Sequence, residues 1–167
     1  MKEIKNKTIY TEDNVKKFLE VYFFEKVKIP RILINILIIL VVIYFFTKEE
    51  KTILDYTTFV FCLFGVLELN STMLPRFNFY KLKKQKDNVL NTEVEYLFKK
   101  NNFKLSTNKD EYIEYSSLYK VLETKEYYYL YINRSRSLIV DKKDMSSSDI
   151  NNLTEIFKEK VSRYKEK

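Results

Sequence analysis

Histidine, tryptophan and alanine are absent from these 167 residues, and there is one cysteine, one glycine and two prolines. Without histidine, the usual general acid or base near neutral pH is missing. A single glycine excludes the glycine-rich loops that cradle phosphates. The lone Cys62 has no partner for an intramolecular disulfide, and no cluster of residues has metal-ligand spacing. Cys62 also sits inside an apolar run, where a thiolate is disfavoured. No catalytic residue, cofactor site or metal site is expected, and the chain reads as a non-enzyme.

Charge is plentiful but unevenly placed. The net charge is +7. Residues 1–31 carry eight basic and five acidic side chains, while 76–86 (RFNFYKLKKQK) carry five basic and no acidic ones. Residues 53–75 hold only Asp55 and Glu68, and 87–167 are nearly balanced, at fifteen basic against fourteen acidic. The excess therefore flanks two apolar stretches on their outer sides. A nearly neutral tail lacks the electrostatic footprint of nucleic-acid binding, so no nucleic acid is expected as partner.

The first apolar stretch, RILINILIILVVIYFF (Arg31 to Phe46), has one polar member after Arg31, namely Asn35. It is too long for an ordinary strand and has no glycine or proline within it. Ile29 to Phe46 is eighteen residues, within the range of about 17–25 that spans a bilayer. The second stretch, Ile53 to Pro75, is interrupted by Asp55, Glu68 and Asn70. Six residues, TKEEKT, separate them, which fits a helical pair crossing the bilayer twice. The basic flanks predict both termini on the cytoplasmic side of the cell membrane. Asn35, Glu68 and Asn70 are candidates for a hydrogen-bonded contact that locks the two helices; the sharper alternative is a proton or ion relay.

Ahead of the spans, Thr11 suits a helix N-cap and is followed by Glu12 and Asp13 in the first turn. Val15, Phe18, Leu19, Tyr22 and Phe23 recur at helical spacing, so an amphipathic helix is expected, with a short strand conceivable over residues 2–10. After the spans, Arg76, Lys81, Lys83, Lys84 and Lys86, with Phe77, Phe79 and Tyr80, are candidates for contact with anionic lipid headgroups.

From Asn91 the pattern changes to period two. EVEYLF sets Val94, Tyr96 and Phe98 on one face; Phe103 with Leu105, EYIEY, LYKVLE, YYYLYI and SLIV follow at turn-like spacing. This predicts a meandering antiparallel sheet of about six strands. The tyrosines at 127, 128, 129 and 131 occupy both strand faces, so one or two should be exposed. Tyr127 and Tyr129, with Arg134 and Arg136, are therefore candidates for binding a protein partner. Ser146 to Asp149 reads as a helix start, and Ile150, Leu153, Phe157, Val161 and Tyr164 trace one apolar stripe. A curved sheet capped by one helix is the plan of a pleckstrin-homology-like (PH-like) domain.

The stretch EYSSLYKVLETKEYYYLYINRSRSLIVDKKDM resembles the YcxB-like family of bacterial membrane proteins. Leu118 to Tyr131 matches that family's central pattern; Tyr115 stands where it has Trp, and Asp141-Lys142 where it has Pro-Lys. The resemblance, best over residues 90–165, implies two transmembrane helices followed by a PH-like domain, with no assigned reaction. The expected fold is thus an α+β membrane protein, with an N-terminal transmembrane hairpin followed by a small PH-like antiparallel sheet capped by a C-terminal helix. Its parts are an arm with an amphipathic helix (1–28), the hairpin (29–75), a basic juxtamembrane linker (76–90) and the cytoplasmic domain (91–167). Two non-catalytic roles fit. One is a tethered module that binds a protein, peptide or lipid headgroup; the other is an accessory or immunity-type membrane protein acting through its hairpin.

Overall fold

The computed structural model describes residues 3–70, 73–85, 89–107, 109–134 and 136–167, with the backbone only at 68–70, 73 and 74. In chain order the elements are β1 (Ile4–Ile9), α1 (Glu12–Lys26), α2 (Lys28–Thr47), α3 (Ile53–Asn70), α4 (Met73–Lys84), β2 (Glu93–Phe98), β3 (Asn102–Ser106) and β4 (Asp110–Glu114). A 3₁₀ turn (Tyr115–Ser117) leads to β5 (Lys120–Glu123), β6 (Tyr127–Tyr131), β7 (Ser137–Asp141), α5 (Ser147–Lys160) and β8 (Tyr164–Glu166). The chain divides into two units, residues 1–14 with 89–167, and residues 15–88.

The first unit holds two four-stranded sheets, ordered β1-β2-β3-β4 and β7-β6-β5-β8. All pairs are antiparallel except β5 with β8. The expected meander is therefore split in two. The break falls at the 3₁₀ turn, where the buried Tyr115 donates its hydroxyl to the Lys99 carbonyl at 2.8 Å. Period-two patterning sends Ile4, Val94, Tyr96, Phe98, Phe103, Leu105 and Ile113 inward.

Helix α5 packs against residues of both sheets in this unit. Ser146 caps it by accepting the Asp149 N–H at 3.1 Å. Leu153, Ile156 and Phe157 are buried. The Phe157 ring meets Phe98 and Tyr115 edge-on at 6.2 and 5.7 Å, and Tyr128 at 5.3 Å. One side chain thus touches strands of both sheets. The stripe read through Val161 and Tyr164 does not stay helical: Val161 is already extended, and Tyr164 opens β8. The open edge of β5 wins, with the Val121 N–H donating to the Arg163 carbonyl at 2.9 Å.

Strand β1 comes from the N-terminal arm. It runs antiparallel to β2 from Ile4 opposite Phe98 to Ile9 opposite Glu93. Its far edge meets β7 through side chains. Alternation in the β6–β7 ladder turns the Ile139 and Asp141 backbone groups away from β6. The Asp141 N–H donates to Thr8 Oγ1 at 2.9 Å, and Asn6 Nδ2 donates to the Asp141 carbonyl at 2.6 Å. The Ile139 N–H donates to Tyr10 Oη at 3.0 Å, and the Tyr96 hydroxyl donates to the Ile139 carbonyl at 2.9 Å. Four side chains therefore satisfy an edge that would otherwise hold unpaired buried groups.

Helix α1 starts as expected, with the Asn14 N–H donating to Thr11 Oγ1 at 3.3 Å, and its residues from Val15 onward belong to the second unit. Helix α2 is the one helix among the described residues that is long and apolar enough to cross a membrane; the apolar part of α3, Ile53–Leu67, is shorter. The two run antiparallel. Phe45 stacks on Phe59 with centroids 4.4 Å apart, while Ile38 Cδ1 lies 3.9 Å from where a Cβ would sit on Gly65. Thr52 and Asp55 cap α3 reciprocally, and Lys48 Nζ reaches Asp55 at 2.7 Å.

Candidate functional sites

The proposed intramembrane contact is described at one member only. Asn35 is half-buried on α2. The side chains of Glu68 and Asn70 lie outside the described residues.

The basic stretch is helical as far as Lys84, within α4. Pro75 and Phe79 are buried and Leu82 half-buried, at helical spacing along one side of α4. Arg76, Lys81, Lys83 and Lys84 are exposed, as are Phe77 and Tyr80 at 58% and 63%. Lys81 Nζ lies 4.7 Å from the Phe77 ring centre. Exposed aromatic rings among cations are the chemistry of a membrane interface. Lys86 lies outside the described residues.

The tyrosine-rich strand departs from expectation. β6 is an inner strand, and Tyr127, Tyr128, Tyr129 and Tyr131 are all buried, the most exposed at 7%. Tyr127 and Tyr129 stack at 5.8 Å and offer no surface to a partner. Alternation alone could not reveal that both faces of this strand are covered. Arg134 and Arg136 are exposed in the β6–β7 turn, where Arg136 pairs with Glu111 at 2.8 Å.

Two groupings escaped the sequence reading because their members are distant in the chain. One is a buried polar network. Lys142 Nζ donates to Glu123 Oε1 at 2.6 Å and to the Thr124 carbonyl at 2.7 Å. Thr154 donates to Glu123 at 3.0 Å, and the Tyr164 hydroxyl donates to Glu123 Oε2. Burial raises the Glu123 pKa, but Lys142, Tyr164 and Thr154 outweigh it, so the carboxyl is held below its ordinary value. The network ties β5, the end of β7, α5 and β8 together. Every partner is engaged, which makes it a structural device rather than a reactive site. Glu123, Thr124 and Lys142 belong to the family-like pattern, so that pattern marks a packing feature.

The other grouping is exposed. Tyr119 precedes β5, Arg134 lies in the β6–β7 turn, and Arg163 lies between α5 and β8. Arg163 Nη1 donates to the Tyr119 hydroxyl at 2.9 Å, and its guanidinium lies 4.9 Å from the Tyr119 ring centre. The Arg134 guanidinium lies 5.9 Å from the same ring. The hydrogen bond from Arg134, with the nearby positive charge of both arginines, lowers the Tyr119 pKa.

An open depression of about 570 Å³ lies on the outer face of β1–β3, lined by residues that include Lys5, Lys7, Glu95, Lys104 and Asp144. Two of its three lysines are paired, Lys7 with Glu93 and Lys104 with Asp110, each at 2.7 Å. Among the described residues no group of His, Cys, Asp and Glu is arranged to hold a metal ion.

Residues 98–157 match the model of the YcxB-like protein family, the family that the sequence resembles. Neither a curated protein nor a solved structure matches the chain.

Proposed function

From a segment that is YcxB-like over residues 98–157, we propose a membrane-tethered, non-catalytic interaction module whose PH-like domain stands at the cytoplasmic face and binds a protein, peptide or lipid headgroup. The observation that carries this reading is the pairing of β1 with β2. β1 precedes α2, and β2 follows α4. Paired strands cannot be separated by a bilayer, so residues 9 and 93 share one side of it. If α2 crosses, a return crossing must occur before residue 93, and Ile53–Leu67 is the apolar stretch suited to it. This parity supports two spans, and the flanking basic residues favour the cytoplasm for both ends. The helical segment is then an insertion between two adjacent strands of one domain. The Tyr10 N–H donates to the Thr92 carbonyl at 3.0 Å, and the Asn91 N–H donates to the Tyr10 carbonyl at 2.9 Å. Helix α4, leaving the second span with cations and exposed rings, fits a seat on anionic headgroups.

Single cysteines in a Cys62→Ser background test the layout. Glu50→Cys, in the short connection, should react with an impermeant thiol reagent added to intact cells, and Lys167→Cys should not. Reverse labelling would overturn the orientation, and labelling at both positions would overturn the two spans. The module reading further predicts that replacing residues 15–88 by an unrelated two-span hairpin preserves in-cell photo-crosslinks formed from the domain surface. Their loss, with the domain still folded, would sink it.

A further inference from the structure

We infer that Tyr119, Arg134 and Arg163 form a binding site for a phosphate monoester group. The three residues come from segments far apart in sequence, and each segment is held in place. The Tyr119 N–H donates to the Tyr131 carbonyl at 2.9 Å, and the Arg163 carbonyl accepts from Val121 at 2.9 Å. The turn bearing Arg134 is closed by the Arg136 N–H donating to Asn133 Oδ1 at 2.7 Å. Both guanidiniums flank one half-buried phenol, and both are exposed to solvent. Among the described residues Arg163 forms no salt bridge with a carboxylate; the phenol is its hydrogen-bond partner.

The electrostatics agree. The hydrogen bond from Arg134 and the positive charges of Arg163 and Arg134 lower the Tyr119 pKa against the opposing effect of burial. Two guanidinium forks present planar sets of donors suited to bidentate contact with tetrahedral oxyanions. The phenol adds a hydroxyl donor between them once an anion draws Arg163 away. Two positive charges match a monoester dianion better than a diester, which carries one negative charge. The inference rests on the interaction-module reading and gives it a ligand chemistry. The bearer of the phosphate is either a soluble ester or a lipid headgroup.

The test uses the full chain in nanodiscs of neutral phosphatidylcholine, titrated with phenyl phosphate by calorimetry. In a second arm, phenyl phosphate is replaced by nanodisc-supplied phosphatidic acid, a lipid monoester, compared with phosphatidylglycerol, a diester. Saturable binding of phenyl phosphate supports a soluble source, and preference for phosphatidic acid alone supports a lipid source. Arg134→Gln and Arg163→Gln should each weaken the binding at least tenfold, with the unfolding midpoint unchanged because both side chains are exposed. Lys125→Gln, at the tip of the β5–β6 turn, should bind within twofold of the parent. Should Arg163→Gln fail to fold, Arg163→Lys keeps the charge, loses the fork and should still weaken binding. Absence of saturable binding in both arms, or equal binding by folded arginine variants, would overturn the site. Neither result depends on membrane orientation, so failure here is separable from failure of the two-span layout.

Discussion

Tyr10→Phe should destabilise the first unit without changing its shape. The hydroxyl it removes accepts the Ile139 N–H at 3.0 Å and lies 3.1 Å from the Tyr96 hydroxyl. The Tyr96 proton is already used on the Ile139 carbonyl, so Tyr10 donates to Tyr96. Tyr10 is 7% exposed and Ile139 3%, so no water replaces the lost acceptor. Leaving a buried donor unsatisfied costs about 1–3 kcal/mol. For a domain of roughly 60–100 residues, each kcal/mol lowers the melting temperature by about 4–8 °C. The assay is thermal unfolding, by circular dichroism, of a single chain in which residues 3–10 are joined to 91–167 by a short turn. The backbone bonds between Tyr10 and residues 91 and 92 make that junction sterically reasonable. Hydrogen exchange should localise the change, with protection lost first at the Ile139 amide. Tyr112→Phe is the control, since Tyr112 is 62% exposed. If Tyr10→Phe melts with the control and Ile139 stays protected, the side-chain seam between β1 and β7 does not close this fold.

Phe157→Ala in the same joined chain should cost about 3–5 kcal/mol, because the fully buried ring touches both sheets; denaturant unfolding measures it. Glu123→Gln should cost about 3–5 kcal/mol by leaving Lys142 buried without its anion, while Lys125→Gln should change little. In the parent, the Glu123 pKa lies below its ordinary value of 4.5. Its stabilisation is therefore fully present above that value and lost as pH falls through the folded pKa; a Glu123→Gln variant should show a shallower acid limb. At the alkaline end, burial raises the pKa of Tyr10, Tyr96, Tyr115 and Tyr129. Stability should fall once pH passes about 10, where the unfolded tyrosines ionise first; a flat denaturation midpoint up to pH 11 would contradict this. A peptide of residues 73–90 should bind anionic vesicles and release as salt rises, at about 1 kcal/mol per basic residue near the surface. Equal binding to neutral vesicles would leave its charges only a role in orienting insertion.

Legibility followed the range of the interactions. The strands from β2 to β7 were readable, since period two in EVEYLF and its successors is a local property. Ser146 as a helix cap and Thr11 as another were readable for the same reason. The end of α5 was not. Val161 and Tyr164 keep helical spacing, yet Val161 is extended and Tyr164 pairs with Val121 on the β5 edge, more than forty positions away in the chain. Arg134 was noticed as a candidate, but Tyr119 and Arg163 were not, because no spacing in sequence reports a convergence of three turns. The buried Tyr127 and Tyr129 mark the opposite error. Alternation implies one wet face, whereas an inner strand can be covered on both.

By itself the sequence determined the placement of apolar and charged segments, the absence of histidine chemistry and the alternation along most of the strands, because each of these is written in neighbouring residues. Tertiary structure alone decided that residues 4–9 complete a sheet begun almost ninety positions later, which makes the helical segment an insertion in one domain. IKNKTI carries two lysines, an asparagine and a threonine, and so looks like a weak strand in isolation. It becomes one because β2 offers a complementary ladder, and β7 offers four backbone groups that Asn6, Thr8, Tyr10 and Tyr96 can satisfy. Hydrogen-bond demand at a buried edge is a property of the assembled fold, and no window of local sequence contains it.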